Sequence, residues 1–98
     1  MTHTTTIPKA FRKKRKSFGK RLRESMKTEQ ISNRELATAL GIRKHYTMIS
    51  CWTQGTSPIP VWYWLGLAEE LGVPKEKFVM DALSTDHPDI YAILEEIK

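Results

Sequence analysis

The residues from Ile31 to Gly55 predict two short helices joined by a tight turn. The first helix begins with Ser32-Asn33-Arg34-Glu35, a capping box in which the serine hydroxyl accepts from the amide three residues on and the glutamate reaches back. Gly41 follows this helix, and glycine most easily takes the left-handed conformation that ends one. Gly55 gives the same stop signal after the second helix. Because no strand pattern competes anywhere in the chain, the unit favours an all-α fold.

Apolar spacing predicts that the rest of the chain is helical as well. Four of the expected helices cover residues 17–27, 33–40, 60–71 and 74–83. Another ends at 54–55 but has no clear start, and the last follows a break at 84–88 and runs to the C-terminus. The expected organisation is a basic N-terminal arm over 1–16, flexible unless it extends the first helix, a helical domain over 17–83, and an amphipathic C-terminal helix over 84–98.

Each predicted helix has an apolar face, and together these faces are expected to form one small core. The chain has 98 residues, 40% of them hydrophobic, which suffices for a single domain without disulfides. The predicted core residues are Phe18, Leu22, Met26, Leu36, Ala37, Leu40, His45, Met48, Ile49, Trp52, Val61, Trp64, Leu65, Ala68, Leu71, Phe78 and Val79.

Several classes of function find no support in the residues. Cys51 is the single cysteine, so no internal disulfide is possible, and the three separated histidines offer no metal-ligand spacing. We expect no metal, no cofactor and no enzyme activity, because the chain lacks a Ser-His-Asp set, paired carboxylates and a phosphate-cradling glycine loop. No apolar run suits a signal peptide or a membrane span, so a cytoplasmic location is expected.

The charge is distributed unevenly along the chain. Residues 1–27 contain ten Lys or Arg and one Glu, whereas residues 81–98 contain one Lys and five Asp or Glu. The middle, residues 28–80, balances five basic against five acidic residues, so the formal net charge of +5 comes from the N-terminal segment. A polyanion near that segment is the simplest partner to expect.

The chain resembles the Cro and phage-repressor type of helix-turn-helix protein, often called the XRE family, from residue 18 to about residue 79. The resembling stretches are Phe18-Gly-Lys-Arg-Leu-Arg-Glu, Ile31-Ser-Asn-Arg-Glu-Leu-Ala, Leu40-Gly-Ile, Ile49-Ser-Cys-Trp-Thr-Gln-Gly and Trp64-Leu-Gly-Leu-Ala-Glu-Glu-Leu-Gly-Val. The resemblance implies a five-helix, lambda-repressor-like domain, here with an additional C-terminal helix. It also implies that the domain binds duplex DNA as a dimer, with its third helix in the major groove.

The chain departs from the family pattern in three places. Between Leu40 and Ile49 it has slightly more residues than usual, which form either a longer turn or an extra half turn of the third helix. Many family members pair an arginine late in helix one with a glutamate late in helix three, and the matching positions here are Met26 and Thr53. Losing both partners leaves an apolar contact and not a lone buried charge. The basic lead-in and the last helix lie outside the shared region.

The outward face of the third helix is the predicted DNA-reading surface. An ordinary solvated face is the alternative, but no acidic residue stands between Thr38 and Glu69, and an acidic group there would be repelled by phosphate. The candidates for reading bases are Arg43, Lys44, Tyr46, Thr47, Ser50 and Cys51. The candidates for phosphate contacts are Asn33, Gln54, Thr56 and the run Arg12, Lys13, Lys14, Arg15 and Lys16, for which the alternative role is to aid solubility.

Exposed apolar side chains on the later helices are expected to form a dimer interface. The candidates are Trp62, Tyr63, Ile90, Ile93, Leu94 and Ile97, although the last helix could instead cover the domain core. The expected function is a sequence-specific transcriptional regulator of phage or plasmid type. It would act as a repressor that binds an inverted-repeat operator as a homodimer. The alternatives are an antitoxin-type module, whose acidic C-terminal helix binds a second protein, and a non-specific nucleoid protein.

Overall fold

The computed structural model describes the backbone of residues 9–97 and the side chains of residues 13–97. Within this range the chain forms six α-helices and no strand, which confirms the all-α prediction. The helices are α1 (Lys9–Thr28), α2 (Asn33–Ala39), α3 (Thr47–Gln54), α4 (Trp64–Glu70), α5 (Lys75–Asp86) and α6 (Pro88–Ile97). Short 3₁₀ turns precede α3 at Arg43–His45 and α4 at Val61–Tyr63.

The local signals around α2 and α3 produce the expected ends. The Glu35 amide donates to the Ser32 hydroxyl at 3.1 Å, and the Ser32 amide donates to the Glu35 carboxylate at 2.8 Å. Gly41 and Gly55 both have positive φ, 79° and 74°, the left-handed conformation that glycine adopts without steric cost. The capping box and both glycine stops are therefore confirmed.

One buried cluster forms the core, and most of its members were predicted. α1 contributes Phe18, Leu22 and Met26, and the Phe18 ring meets that of Phe78 edge to face at 5.5 Å. The buried apolar residues of the other elements are Leu36, Ala37, Ile49, Trp52, Ile59, Trp64, Leu67, Ala68, Leu71, Ala82 and Leu83. The Trp64 indole donates to the Ile59 carbonyl at 2.9 Å, so the loop before α4 is fixed against the core.

Three predicted core positions were wrong. His45 is exposed because the residues before α3 form a 3₁₀ turn, which projects its side chain into solvent. Val61 and Leu65 are more than half exposed, whereas Leu67 is fully buried. The prediction assumed one α-helix from residue 60, but the 3₁₀ turn has fewer residues per turn and changes the phase of the buried face.

A close backbone approach joins α1 to the end of α3. A Cβ atom placed on Gly19 would lie 2.6 Å from the carbonyl oxygen of Trp52 and 2.7 Å from that of Thr53. A Cβ on Gly55 would lie 2.9 Å from the Lys16 Cα. Glycine at both places lets the two backbones touch, which fixes the basic helix α1 beside α3.

The break expected at residues 84–88 is confined to His87. α5 continues through Asp86, because the hydroxyls of Ser84 and Thr85 donate to the Asp81 carbonyl at 2.9 and 2.8 Å and so remain compatible with a helix. The helix stops at His87, where φ is −138°, since a residue before proline avoids the α conformation.

Both expected domain boundaries fall inside helices. The boundary after residue 16 lies within α1, so residues 9–16 belong to a helix and the helical alternative for the basic run holds. The boundary after residue 83 lies within α5. The first eight residues of the expected arm lie outside the described residues.

Candidate nucleic-acid interface

The turn between α2 and α3 has a regular geometry of its own. The Arg43–His45 segment is a 3₁₀ turn whose last amide, that of His45, donates to the Ile42 carbonyl at 2.7 Å. α3 itself begins at Thr47. Of the two alternatives for the additional residues, the longer turn is therefore the one observed.

The predicted base-reading residues lie together at the beginning of α3. Arg43 and Lys44 are exposed on the 3₁₀ turn, Tyr46 caps α3 and Thr47 is its exposed first residue. Ser50, one turn later, is half-buried. Cys51 is an exposed free thiol. The first four therefore form one surface, from which Ser50 is partly withdrawn.

Arg34 is a member of this surface that the sequence did not reveal. Its guanidinium carbon lies 4.8 Å from the centroid of the Tyr46 ring, within the range of a cation–π interaction. The contact joins the second residue of α2 to the start of α3. Nothing in the spacing of the two residues indicates it, because the approach depends on the fold of the intervening turn.

The predicted phosphate contacts near α3 differ in how free their polar atoms are. The Gln54 amide donates to the Ser50 hydroxyl at 3.1 Å, and the Thr56 hydroxyl donates to the Cys51 carbonyl at 3.2 Å. Thr56 thus helps to cap the C-terminal end of α3, although its side chain remains exposed. Asn33 is half-buried at the first position of α2.

A groove of about 490 Å³ lies between α1, α2 and α3. It is bounded by the end of α1, the beginning of α2 and the second half of α3. Its lining residues are Arg23, Met26, Lys27, Gln30, Ile31, Ser32, Asn33, Glu35, Ser50, Thr53 and Gln54. Met26 and Thr53, the positions at which the family resemblance implies an Arg–Glu pair, both line it. The groove brings cationic side chains of α1 next to Asn33 and Gln54.

The basic run of α1 does not act as a single unit. Lys13, Lys14 and Lys16 are exposed, but the Arg15 Nε donates to the Asp86 carboxylate at 3.2 Å, and only 15% and 5% of these two side chains are exposed. This ion pair fastens α1 to the end of α5 and leaves little of the Arg15 guanidinium for a phosphate. Arg15 is therefore corrected from a phosphate contact to a packing contact, while the Arg12 side chain lies outside the described residues.

Three further basic residues on α1 belong to the candidate interface. Lys20, Arg23 and Lys27 are exposed and follow Lys13 and Lys16 at spacings of three and four residues, which places all five on one face of the helix. We call this set the basic stripe. The signal was present in the sequence, but it lies in the periodicity of the basic residues and not in the contiguous run.

The predicted dimer-interface residues are mostly exposed. Trp62 is 77% exposed, and its ring lies against Tyr63, which is half-buried between Trp62 and Trp52. On α6, Tyr91 packs toward the core. The four predicted residues of α6, Ile90, Ile93, Leu94 and Ile97, are all exposed. No described residue therefore buries this face, whereas Tyr91 packs against the core.

Glu35 is the one acidic residue of the interface whose titration is clearly perturbed. Hydrogen bonding from the Ser32 backbone, and secondarily from its side chain, lowers the pKa of Glu35 below the ordinary value of 4.5. The carboxylate is therefore ionised and occupied with capping α2. Its negative charge, which also lines the groove, is directed at the serine amide.

Among residues 9–97 no group of His, Cys, Asp and Glu side chains is arranged to hold a metal ion. No helix in this range combines the length and the apolar character needed to cross a bilayer. Comparison with protein-family models, curated proteins and solved structures finds no match for the chain.

Proposed function

We propose that the protein is a sequence-specific regulator that binds duplex DNA through α2 and α3, as its resemblance to the XRE-type helix-turn-helix family implies. The observation that carries the proposal is the exposed group Arg43, Lys44, Tyr46 and Thr47 at the beginning of α3. It lies in a stretch of the chain that has no acidic residue between Thr38 and Glu69. Such a surface attracts phosphate and offers donors to base edges.

In this proposal α3 enters the major groove with its N-terminal end foremost. Arg43 and Lys44 donate to guanine edges or to phosphate, and Tyr46 and Thr47 contact bases or thymine methyl groups. The Arg34–Tyr46 contact holds the tyrosine ring in place, since the cation lies over its face. Asn33 and Gln54, at the rim of the groove, set the register by bonding to backbone phosphates.

A symmetric dimer is the proposed binding form. Two copies would place their α3 helices in successive major grooves, about 34 Å apart, on an inverted repeat. The exposed apolar side chains of Trp62 and of the outward face of α6 supply the surface for self-association. Bound across a promoter, such a dimer would repress transcription by excluding polymerase, and a site upstream of its own gene is expected.

The test begins with selection of duplexes by the purified protein from a random-sequence pool. The selected duplex and a scrambled duplex of equal length are then compared at fixed salt. Arg43→Ala should weaken binding of the selected duplex by about 1–3 kcal/mol, roughly 5- to 150-fold, while binding of the scrambled duplex changes little. Lys75→Ala on α5 is the control, since it removes a charge elsewhere. Equal affinity of the wild type for both duplexes would instead favour the non-specific nucleoid protein.

A second candidate function, the antitoxin-type interaction module, is favoured by α6. Its apolar face, exposed among the described residues, stands beside Asp89 and Glu96, a combination suited to a basic protein partner. Stoichiometric co-purification of one small basic protein, abolished by Ile93→Gln, would support it. A homodimer that binds its selected duplex tightly and has no such partner would support the regulator.

A further inference from the structure

We propose that the basic stripe of α1 binds the sugar-phosphate backbone of the DNA, next to the major groove that α3 enters. The stripe would hold the strand through Lys16, Lys20, Arg23 and Lys27, four residues beyond those that read bases. This inference rests on the proposed function and extends it to the α1 side of the domain. It assigns to α1 a role in affinity and none in sequence preference.

The geometry of the stripe suits an extended polyanion. The four residues from Lys16 to Lys27 fall on one face of a continuous helix, over a length of about 16 Å at the usual rise of about 1.5 Å per residue. All four are exposed. A row of separate cations at this spacing can meet several consecutive phosphates, whereas it matches no single small anion.

The stripe and the reading helix belong to the same surface of the molecule. On the surface of α1, the stripe lies beside Gly19. Gly19 is the residue that approaches the carbonyls of Trp52 and Thr53 at the end of α3. Lys16 itself touches Gly55 just after α3. At the other end of the stripe, Arg23 and Lys27 line the groove that also contains Ser50, Gln54 and Asn33. A strand that contacts Asn33 and Gln54 therefore passes the cations of α1.

Among the described residues, no cation of the stripe forms a salt bridge. The ion pair of α1 in this range runs from Arg15 to Asp86 on a different face of the helix. Glu24 is the single acidic residue of α1 and stands at the edge of the stripe. Like charges three or four residues apart destabilise a helix, so the free domain carries an unfavourable arrangement that bound phosphates would relieve. Solubility alone would not require these cations to lie on one face of α1.

The experiment measures the salt dependence of binding for a random-sequence duplex and for the selected duplex. The test variant is Arg23→Gln/Lys27→Gln, and the control is Lys75→Gln/Lys77→Gln, which removes the same charge from exposed positions of α5. Each phosphate contact contributes about 0.9 to the slope of log K against log salt, so the test variant should lower the slope by roughly 1.8 for both duplexes. The control variant should leave the slope within error of the wild type.

The charge-preserving variant Arg23→Lys/Lys27→Arg should restore the wild-type slope, and thermal unfolding checks that every variant is folded. Equal slopes for the test and control variants would overturn the inference. If the wild type binds and Arg43→Ala abolishes its sequence preference while the stripe variant keeps its slope, only the inference fails. If the wild type binds neither duplex at low salt, the proposed function fails together with it.

Discussion

Replacing Gly19 with alanine tests whether the contact between α1 and α3 is as close as the structure has it. The added Cβ would meet the Trp52 carbonyl oxygen at 2.6 Å, and ordinary contacts begin at 3.4 Å. The two helices would have to separate by about 0.8 Å, the difference between these distances. Both contacted atoms are backbone oxygens of α3, so no side-chain rotation can relieve the clash.

The expected change in stability combines two opposing effects. Alanine is favoured over glycine inside a helix by about 1 kcal/mol, whereas overpacking of a tight contact costs about 1–3 kcal/mol. Because the clash is with backbone atoms, we expect an overpacking cost in the upper part of the range of about 1–3 kcal/mol. Subtracting the gain in helix propensity leaves a net destabilisation of about 1–2 kcal/mol. In a domain of this size, that lowers Tm by roughly 4–16 °C.

Gly66→Ala is the matched control, since Gly66 also lies within a helix. There the new Cβ would meet one methyl carbon of Leu40 at 3.0 Å, and a leucine side chain can move. The helix-propensity gain should then dominate, so this variant should equal or exceed the wild type in stability by up to about 1 kcal/mol. Urea unfolding followed by circular dichroism measures both variants. A Gly19→Ala protein as stable as Gly66→Ala would refute the reasoning.

Three further outcomes are expected. Ser32→Ala should lose about 1 kcal/mol in urea unfolding, because it removes the N-cap of α2. In the wild type, the part of the capping box that the Glu35 carboxylate contributes should be present at neutral pH, because hydrogen bonding from Ser32 lowers the pKa of Glu35, and should be lost as the pH falls below 4.5; an unchanged pH profile in Glu35→Gln would contradict this. Asp86→Asn should destabilise by about 1–3 kcal/mol, since it leaves a largely buried Arg15 without its charge partner, and Arg15→Met/Asp86→Leu should destabilise less. Trp62→Gln should change stability by no more than about 0.5 kcal/mol but should weaken self-association in sedimentation equilibrium, and an unaltered dimer would remove Trp62 from the interface.

The parts of the fold that could be predicted are those that depend on neighbouring residues. The capping box at Ser32 and the stops at Gly41 and Gly55 are local, so their sequence determines them. The position of α1 against the end of α5 depends on the pairing of Asp86 with Arg15, 71 residues away, and no local pattern contains that partner. The exposure of Val61 depends on a 3₁₀ turn, which has no strong sequence signal.

The features of the candidate site also divide into those that the sequence indicates and those that depend on tertiary packing. The exposed residues Arg43, Lys44, Tyr46 and Thr47 were predicted because the absence of acidic residues is visible in the sequence, whereas the exposure of His45 was not. The Arg34–Tyr46 contact and the withdrawal of Arg15 into an ion pair depend on tertiary packing. The rest of the basic stripe, Lys20, Arg23 and Lys27, could have been found from its helical spacing.

The stripe also means that salt acts on this protein in two opposite directions. In the free domain, five cations on one helical face repel one another, and added electrolyte weakens that repulsion, so moderate salt should make the fold harder to melt. In the proposed complex with DNA, the same electrolyte would compete with the protein for the phosphates and would release it. Under the proposed function, the salt conditions that best preserve the isolated domain would be those under which it binds DNA least well, so stability and DNA binding would have to be measured on separate salt scales.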